Sequence, residues 1–178
     1  MSGVDGLVRT YRLSSSVRWA KFCALIIDPT NTTTVTGALF VKPPTSSNQG
    51  PVQGVTVEHY VEPNYFVAED TDPSTISGTT PNSPYASMLG GTAPLQIGPS
   101  LQYTGQARCY VTASGSITPG KLVLIADAYG RVDSASHLGI SGGTLIYPVG
   151  IARSASSGTN SIVLVELVFL PVAYVSGQ

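Results

Sequence analysis

The sequence has few charged residues. Asp, Glu, Lys and Arg together make up 11% of its 178 residues, against roughly a quarter in an ordinary soluble domain. Long helices draw heavily on Glu, Lys and Arg, so this shortage argues against a helical bundle, a coiled coil and a helix-rich α/β enzyme. The formal net charge of −1 also argues against a general nucleic-acid binder, which is normally basic.

Cysteines and long apolar runs are scarce too. Two cysteines, Cys23 and Cys109, do not make a disulfide framework, and each lies in an alternating apolar stretch that predicts a buried thiol. The longest apolar run, residues 162–172, is interrupted by Glu166 and Pro171, whereas a transmembrane helix needs about 20 apolar residues. Residues 1–6 lack the features of a signal peptide. We therefore expect a soluble protein, made in a reducing cytoplasm, without a membrane partner.

Turn-forming and small polar residues are abundant instead. Gly, Pro, Ser and Thr fill about two-fifths of the chain, while 42% hydrophobic residues suffice for a packed core. Short alternating runs separated by turn signals are typical of a small barrel or sandwich. We therefore predict an all-β fold: a small β-barrel or sandwich with extended N-terminal strands and long loop excursions.

The N-terminal part contains three predicted strands. Residues 16–28 alternate with apolar side chains on both sides, which indicates a strand covered on both faces. A turn at residues 28–31 and a Thr- and Val-rich run at 32–41 predict its hairpin partner. A loop with several Pro and Gly residues is expected over 42–54, followed by a strand over 55–61.

Charge and composition divide the chain further. Residues 43–107 contain five acidic and no basic residues, and residues 69–100 have no clear period, which predicts a long excursion that wraps a neighbour or forms a surface loop. We predict an N-terminal β-rich anchoring region over 1–105, a β-barrel core over 106–172 and a tail over 173–178.

The C-terminal part has regular strand and turn signals. Strands are predicted over residues 107–111, 121–127, 131–133, 146–155 and 161–170, with turns at 118–121, 128–130 and 156–160. Pro148 indicates an edge strand or a bulge. In the last strand, the all-apolar side carries Val163, Val165, Leu167 and Phe169, so this side is expected to face the core.

Several short patterns hint at chemistry but lack the required context. Residues 139–143 match G-x-S-x-G around Ser141, yet a strand rather than a helix is predicted to follow, and both histidines precede the serine. The remaining weak candidates are a calcium-like loop at 70–81 without its Gly and Glu, His59 beside Glu58 and Glu62, and the pair Ser116 and Lys121. We therefore predict no enzyme activity, no cofactor and no metal.

Two stretches carry a family resemblance. Residues 110–132 (YVTASGSITPGKLVLIADAYGRV), residues 147–153 (YPVGIAR) and residues 156–167 (SSGTNSIVLVEL) resemble the capsid decoration, or cement, proteins of tailed bacteriophages. The resemblance covers about residues 107–168. It implies a small β-barrel, usually trimeric, on the outer surface of an icosahedral virion, where it staples neighbouring major capsid proteins. The alternative is a head or tail appendage that binds host surface glycans.

The first 42 residues are the predicted capsid anchor. They carry five basic and two acidic residues and lie outside the resembling part. Because Trp and Arg dominate interface hot spots, the candidate capsid contacts are Arg9, Arg12, Arg18 and Trp19. The competing interpretation is that Trp19 is a core residue of the sheet.

Overall fold

The computed structural model describes residues 6–10, 12–13, 22–28, 40–57, 100–112, 116–158 and 161–175. Within these ranges the chain is all-β and contains no helix, which confirms the predicted fold class. The strands are β1 (Val8–Thr10), β2 (Arg12–Leu13), β3 (Ala24–Ile27), β4 (Phe40–Lys42), β5 (Val52–Thr56), β6 (Ser100–Gln102), β7 (Gln106–Tyr110), β8 (Leu122–Ile125), β9 (Val132–Ser134), β10 (Leu145–Ile146), β11 (Pro148–Ala152), β12 (Ile162–Leu167) and β13 (Val172–Ala173).

The first sheet has six strands in the order β1-β6-β5-β3-β4-β2. Its pairs are antiparallel except for β2 with β4. The edge strands β1 and β2 are separated by a single residue, and two Cα atoms that far apart along the chain span at most about 7 Å. The sheet therefore curls until its two edges approach each other.

The second sheet has five antiparallel strands in the order β7-β12-β11-β8-β9, and β10 and β13 form a separate two-stranded ribbon. The register of β11 against β8 shifts between Pro148 and Gly150. Pro148 thus marks a bulge, one of the two predicted alternatives, in the central strand of the sheet. Because proline has no N–H to donate, a bulge accommodates it within the ladder.

One core lies between the two sheets, consistent with a sandwich. The edge strands β7 and β9 of the second sheet also meet at a bridge between Val111 and Val132, where the Thr112 N–H donates to the Val132 carbonyl at 3.1 Å. Residues from both sides of the predicted boundary at position 105 contribute to this core. Its buried members are Ala24, Ile26, Val52, Val55, Ala107, Cys109, Val111, Ile117, Val123, Ile125, Val132, Val149, Ala152, Val163 and Val165. Leu25 and Leu101 are also buried, on the opposite face of the first sheet.

The local predictions are largely confirmed in the described part. Both cysteines are buried and unbonded to each other. Val163 and Val165 face the core and Ile162 is exposed, as the alternation predicts. Gly120 has φ +88° and the Lys121 N–H donates to the Thr118 carbonyl at 3.3 Å, which confirms the turn.

Several strand boundaries differ from the prediction. β3 begins at Ala24, so Phe22 and Cys23 are not part of the strand expected over 16–28. β5 begins at Val52, inside the expected loop. The strand expected over 146–155 is two strands, because the chain passes from the ribbon to the second sheet at Tyr147. Asn48 holds this crossing: its Oδ1 accepts from the Tyr147 N–H at 3.0 Å and its Nδ2 donates to the Leu145 carbonyl at 3.1 Å. The expected turn at 29–31 and the excursion over 69–99 lie outside the described residues.

Residues 22–24 join the two sheets and lie within the predicted anchor region. The Phe22 N–H donates to the Thr56 carbonyl at 2.8 Å, and the Phe22 carbonyl accepts from the Tyr110 N–H at 3.0 Å. The Ala24 N–H donates to the Gly130 carbonyl at 2.8 Å. Residues 22–28 and 40–42, which fall within the predicted anchor region, therefore belong to the sandwich.

The contact at Gly130 predicts a sensitive position. Gly130 has φ +78°, and a Cβ there would lie 2.3 Å from the Ala24 carbonyl oxygen. We expect Gly130→Ala to reduce the free energy of unfolding by several kcal/mol in urea denaturation, because neither backbone can move without breaking the junction. Gly120→Ala is the matched control: its φ is +88° but a Cβ would meet nothing within 4 Å, so it should cost only the left-handed conformation, about 1–2 kcal/mol. Equal losses would contradict a tight contact.

The orientation of β12 predicts a second contrast. Val165→Asp buries an unpaired carboxylate in the shared core and should destabilise the protein by about 3–5 kcal/mol. Ile162→Asp, on the exposed side of the same strand, should change stability by less than about 1 kcal/mol. Thermal melting of both variants measures the difference, and a wild-type-like Val165→Asp would show that the strand is placed wrongly.

Candidate protein-interaction surface

Arg9 is the one predicted capsid contact whose side chain lies in the described part of the chain. It is exposed on β1, and its guanidinium carbon lies 5.3 Å from the centre of the Tyr103 ring. Arg12 follows on β2, where only its backbone is described, and Arg18 and Trp19 lie outside the described residues. The Arg9–Tyr103 pair thus presents a cation and an aromatic ring together, a combination common at interface hot spots.

A groove lies beside this pair, where the first sheet passes the edge strand β7. Its volume is about 350 Å³. It is lined by Val8, Phe22, Val55, Thr56, Val57, Gln102, Ala107 and Arg108. Because Val8 lines the groove, the next residue on the strand, Arg9, points to the other face of β1. The groove and the Arg9–Tyr103 pair are therefore two distinct features of the same edge of the molecule.

Phe22 and Arg108 form the rim of the groove. The Arg108 guanidinium carbon lies 6.0 Å from the centre of the Phe22 ring, and this ring lies 6.0 Å from that of Tyr110. Phe22 has φ +64°, a conformation that costs a non-glycine residue about 1–3 kcal/mol and is often found at functional sites. The sequence analysis missed both residues, because an Arg in an alternating strand looks like an ordinary exposed residue.

The floor of the groove includes a buried amide. Gln102 is 1% exposed. Its Nε2 donates to the Thr104 carbonyl at 3.0 Å and to the Gln106 carbonyl at 2.8 Å. These bonds fix the amide plane and hold the start of β7 against β6. Six of the eight residues that line the groove lie in strands, and Phe22 and Val57 do not.

A second surface is apolar. The ribbon and its flanks expose Leu145, Leu170, Val172 and Val175, with Leu170 70% exposed. The ribbon packs on the second sheet through Ile146 and Tyr174, which are buried with Leu124 and Ala135. The remaining apolar side chains stay on the outside, and a group of this kind is typical of a protein contact.

A buried carboxylate and a histidine form a polar cluster at β9. Asp133 is fully buried, and its Oδ2 accepts from the Thr112 hydroxyl at 2.8 Å. Its Oδ1 accepts from the Ser134 N–H at 2.7 Å and lies 2.7 Å from His137 Nδ1. The cluster ties the turn over 134–140 to β9. The spacing Asp-x-x-x-His is visible in the sequence, but the sequence analysis did not predict this contact.

The weak chemical patterns from the sequence remain apart in the structure. Ser141 lies in an exposed turn that leads into β10, and His137 contacts Asp133 instead. Ser116 is exposed, and Lys121 lies between the Pro119-Gly120 turn and β8. His59 and residues 70–81 lie outside the described part. Among the described residues, no three His, Cys, Asp or Glu side chains are grouped as a metal would need.

The buried thiol of Cys109 is also unsuited to reaction. Burial raises the pKa of this thiol far above its ordinary range, because the apolar core disfavours the thiolate. None of the described ranges contains a helix that is long and apolar enough to cross a membrane. The chain matches no family model and no curated protein sequence.

The Asp133–His137 contact predicts a structural effect. His137→Ala removes a donor to a buried carboxylate, which should destabilise the protein by about 1.5–3 kcal/mol. Ser136→Ala, next to it on the same exposed turn, loses one hydroxyl contact, to the Ser134 hydroxyl at 3.1 Å, and should cost less. Chemical denaturation of both variants checks the difference, and an unaffected His137→Ala would show that the contact carries no stability.

Proposed function

We propose that this protein is a capsid decoration protein: a homotrimer that binds the outer surface of an icosahedral phage head and staples neighbouring major capsid proteins. The observation that carries the proposal is the resemblance of residues 110–132 and 147–167 to that family. These residues contribute β8, β9, β11 and β12, which are adjacent in one sheet. The resembling parts therefore form one continuous structural unit.

The glycines of the resembling pattern support the comparison. Gly120, Gly130 and Gly158 all have positive φ, at +88°, +78° and +119°. Each position is one where glycine is strongly favoured over other residues. These glycines of the pattern thus lie at turns between strands, where a sequence motif that reflects a shared fold is expected to have them.

The surface supports an assembled form. Only 11% of the residues are charged, and the ribbon exposes several large apolar side chains, whereas monomeric soluble proteins usually have a more charged surface. The ribbon is the surface we assign to contacts between copies. The Arg9–Tyr103 pair is the surface we assign to the major capsid protein, and the site of action is accordingly the virion exterior.

Binding to empty shells tests the proposal. The full-length protein is added to shells of the particle that encodes it, prepared without the protein, and bound and free fractions are separated by sedimentation. We expect saturable binding, a free protein of about three times the 18.5 kDa chain mass, and density on the outside of the shell in electron micrographs. Because the three chains of a trimer bind the shell together, the contact made by each chain can be weak.

A charge-reversal pair makes the test specific. Arg9→Glu should weaken shell binding by at least about 30-fold, the equivalent of about 2 kcal/mol at one hot spot. Lys121→Glu makes the same charge change at a turn away from β1 and should bind like the wild type. A monomer at micromolar concentration would contradict the trimer, and binding to host glycans without shell binding would favour an appendage instead.

A further inference from the structure

Among the described residues, the edge strand β7 has one outward position where neither backbone group is hydrogen-bonded. In an antiparallel pair, alternate residues direct their N–H and C=O toward the partner strand. The Val111 N–H donates to the Ser161 carbonyl and the Leu167 N–H donates to the Gly105 carbonyl, both at 2.9 Å. The odd-numbered residues of β7 therefore bond β12, and the even-numbered residues direct their backbone groups outward.

Two of the three outward positions are occupied. The Gln106 carbonyl accepts from Gln102 Nε2 at 2.8 Å, and the Tyr110 N–H donates to the Phe22 carbonyl at 3.0 Å. Arg108 lies between them, and its N–H and C=O have no hydrogen-bond partner among the described residues. Since Arg108 also lines the groove, this unpaired peptide group lies at the groove wall.

The residues that line the groove beside this position indicate which kind of ligand it can bind. Its lining is apolar at Val8, Val55, Val57 and Ala107, and it includes no acidic side chain. Arg108 supplies the positive charge at the rim, where its guanidinium carbon lies 6.0 Å from the centre of the Phe22 ring. An extended segment with an apolar residue and a carboxylate complements these features.

We propose that the groove binds an extended acidic segment of a partner protein by strand addition at Arg108. One residue of the segment exchanges two backbone hydrogen bonds with Arg108, as in other complexes formed at a sheet edge. A carboxylate of the segment pairs with the guanidinium, and an apolar side chain enters the groove. The site goes beyond the proposed function and does not depend on it, because shell binding was assigned to the other face of β1.

Four synthetic peptides test the site on the full-length protein. The first is a capped seven-residue peptide, Thr-Val-Glu-Val-Glu-Val-Thr. The second and third replace both Glu residues by Gln or by Lys, and the fourth is the acidic peptide with N-methylated central residues. Binding is followed by amide chemical shifts in NMR. We expect the acidic peptide to shift the amides of Arg108 and Val57, to bind at least about 10-fold more tightly than the basic peptide at low salt, and to weaken as salt is added.

Three variants distinguish an effect of charge from a loss of folding. Arg108→Glu should reverse the preference from the acidic to the basic peptide, while Lys121→Glu should leave it unchanged. Both positions are outside the core, and the remaining amide spectrum reports whether each variant is folded. Arg108→Gln, which keeps the size and removes the charge, should bind the acidic and basic peptides equally.

Three results would overturn the proposal. The first is an acidic peptide that leaves the Arg108 amide unchanged at several millimolar. The second is equal binding of the N-methylated and unmodified acidic peptides, which would exclude strand addition. The third is a shift of the Arg108 amide when the protein alone is diluted, which would make a second copy of this chain the occupant. None of these results bears on shell binding by Arg9→Glu, so the two proposals fail separately.

Discussion

The junction at residues 22–24 is the constraint on which the rest of the structure depends. Three consecutive residues bond β5, β7 and the turn between β8 and β9, so one short piece of backbone satisfies polar groups from both sheets. Besides the bonds of Phe22 and Ala24, the Cys23 N–H donates to the Thr56 hydroxyl at 3.0 Å, and the Thr56 N–H donates to the Cys23 carbonyl at 2.9 Å. A buried backbone group without a partner costs about 1–3 kcal/mol, so the two sheets are held together by groups that neither can satisfy alone.

The same junction creates the groove. To bond Thr56 and Tyr110 at once, Phe22 takes a left-handed conformation, which directs its ring to the edge of β7. There the ring lies 6.0 Å from the Arg108 guanidinium carbon, and the Phe22 carbonyl accepts a hydrogen bond from the Tyr110 N–H. Among the described residues, this packing of the sheets leaves the backbone groups of Arg108 without a partner. A strained residue is retained where the surrounding bonds determine its conformation.

Local signals predict much of the second sheet and little of the first. Alternation and turn glycines were enough to place β7, β8, β9 and β12 and to identify the buried side of β12, because these features depend on neighbours in sequence. The curl of the first sheet depends instead on pairs such as Val8 with Gln102, which no local pattern specifies. For the same reason, charge identified Arg9, whereas the Phe22–Arg108 contact joins residues 86 positions apart and was not predicted.

The groove and the apolar ribbon use different residues of the molecule. The groove lies at β7 and includes Arg108, whereas the ribbon packs through Ile146 and Tyr174 against Leu124 and Ala135. Copies that associate through the exposed side chains of the ribbon therefore use none of the residues that line the groove. In a trimer this arrangement would present three equivalent grooves, so that an acidic partner with repeated segments gains affinity from simultaneous binding even though each single contact is weak.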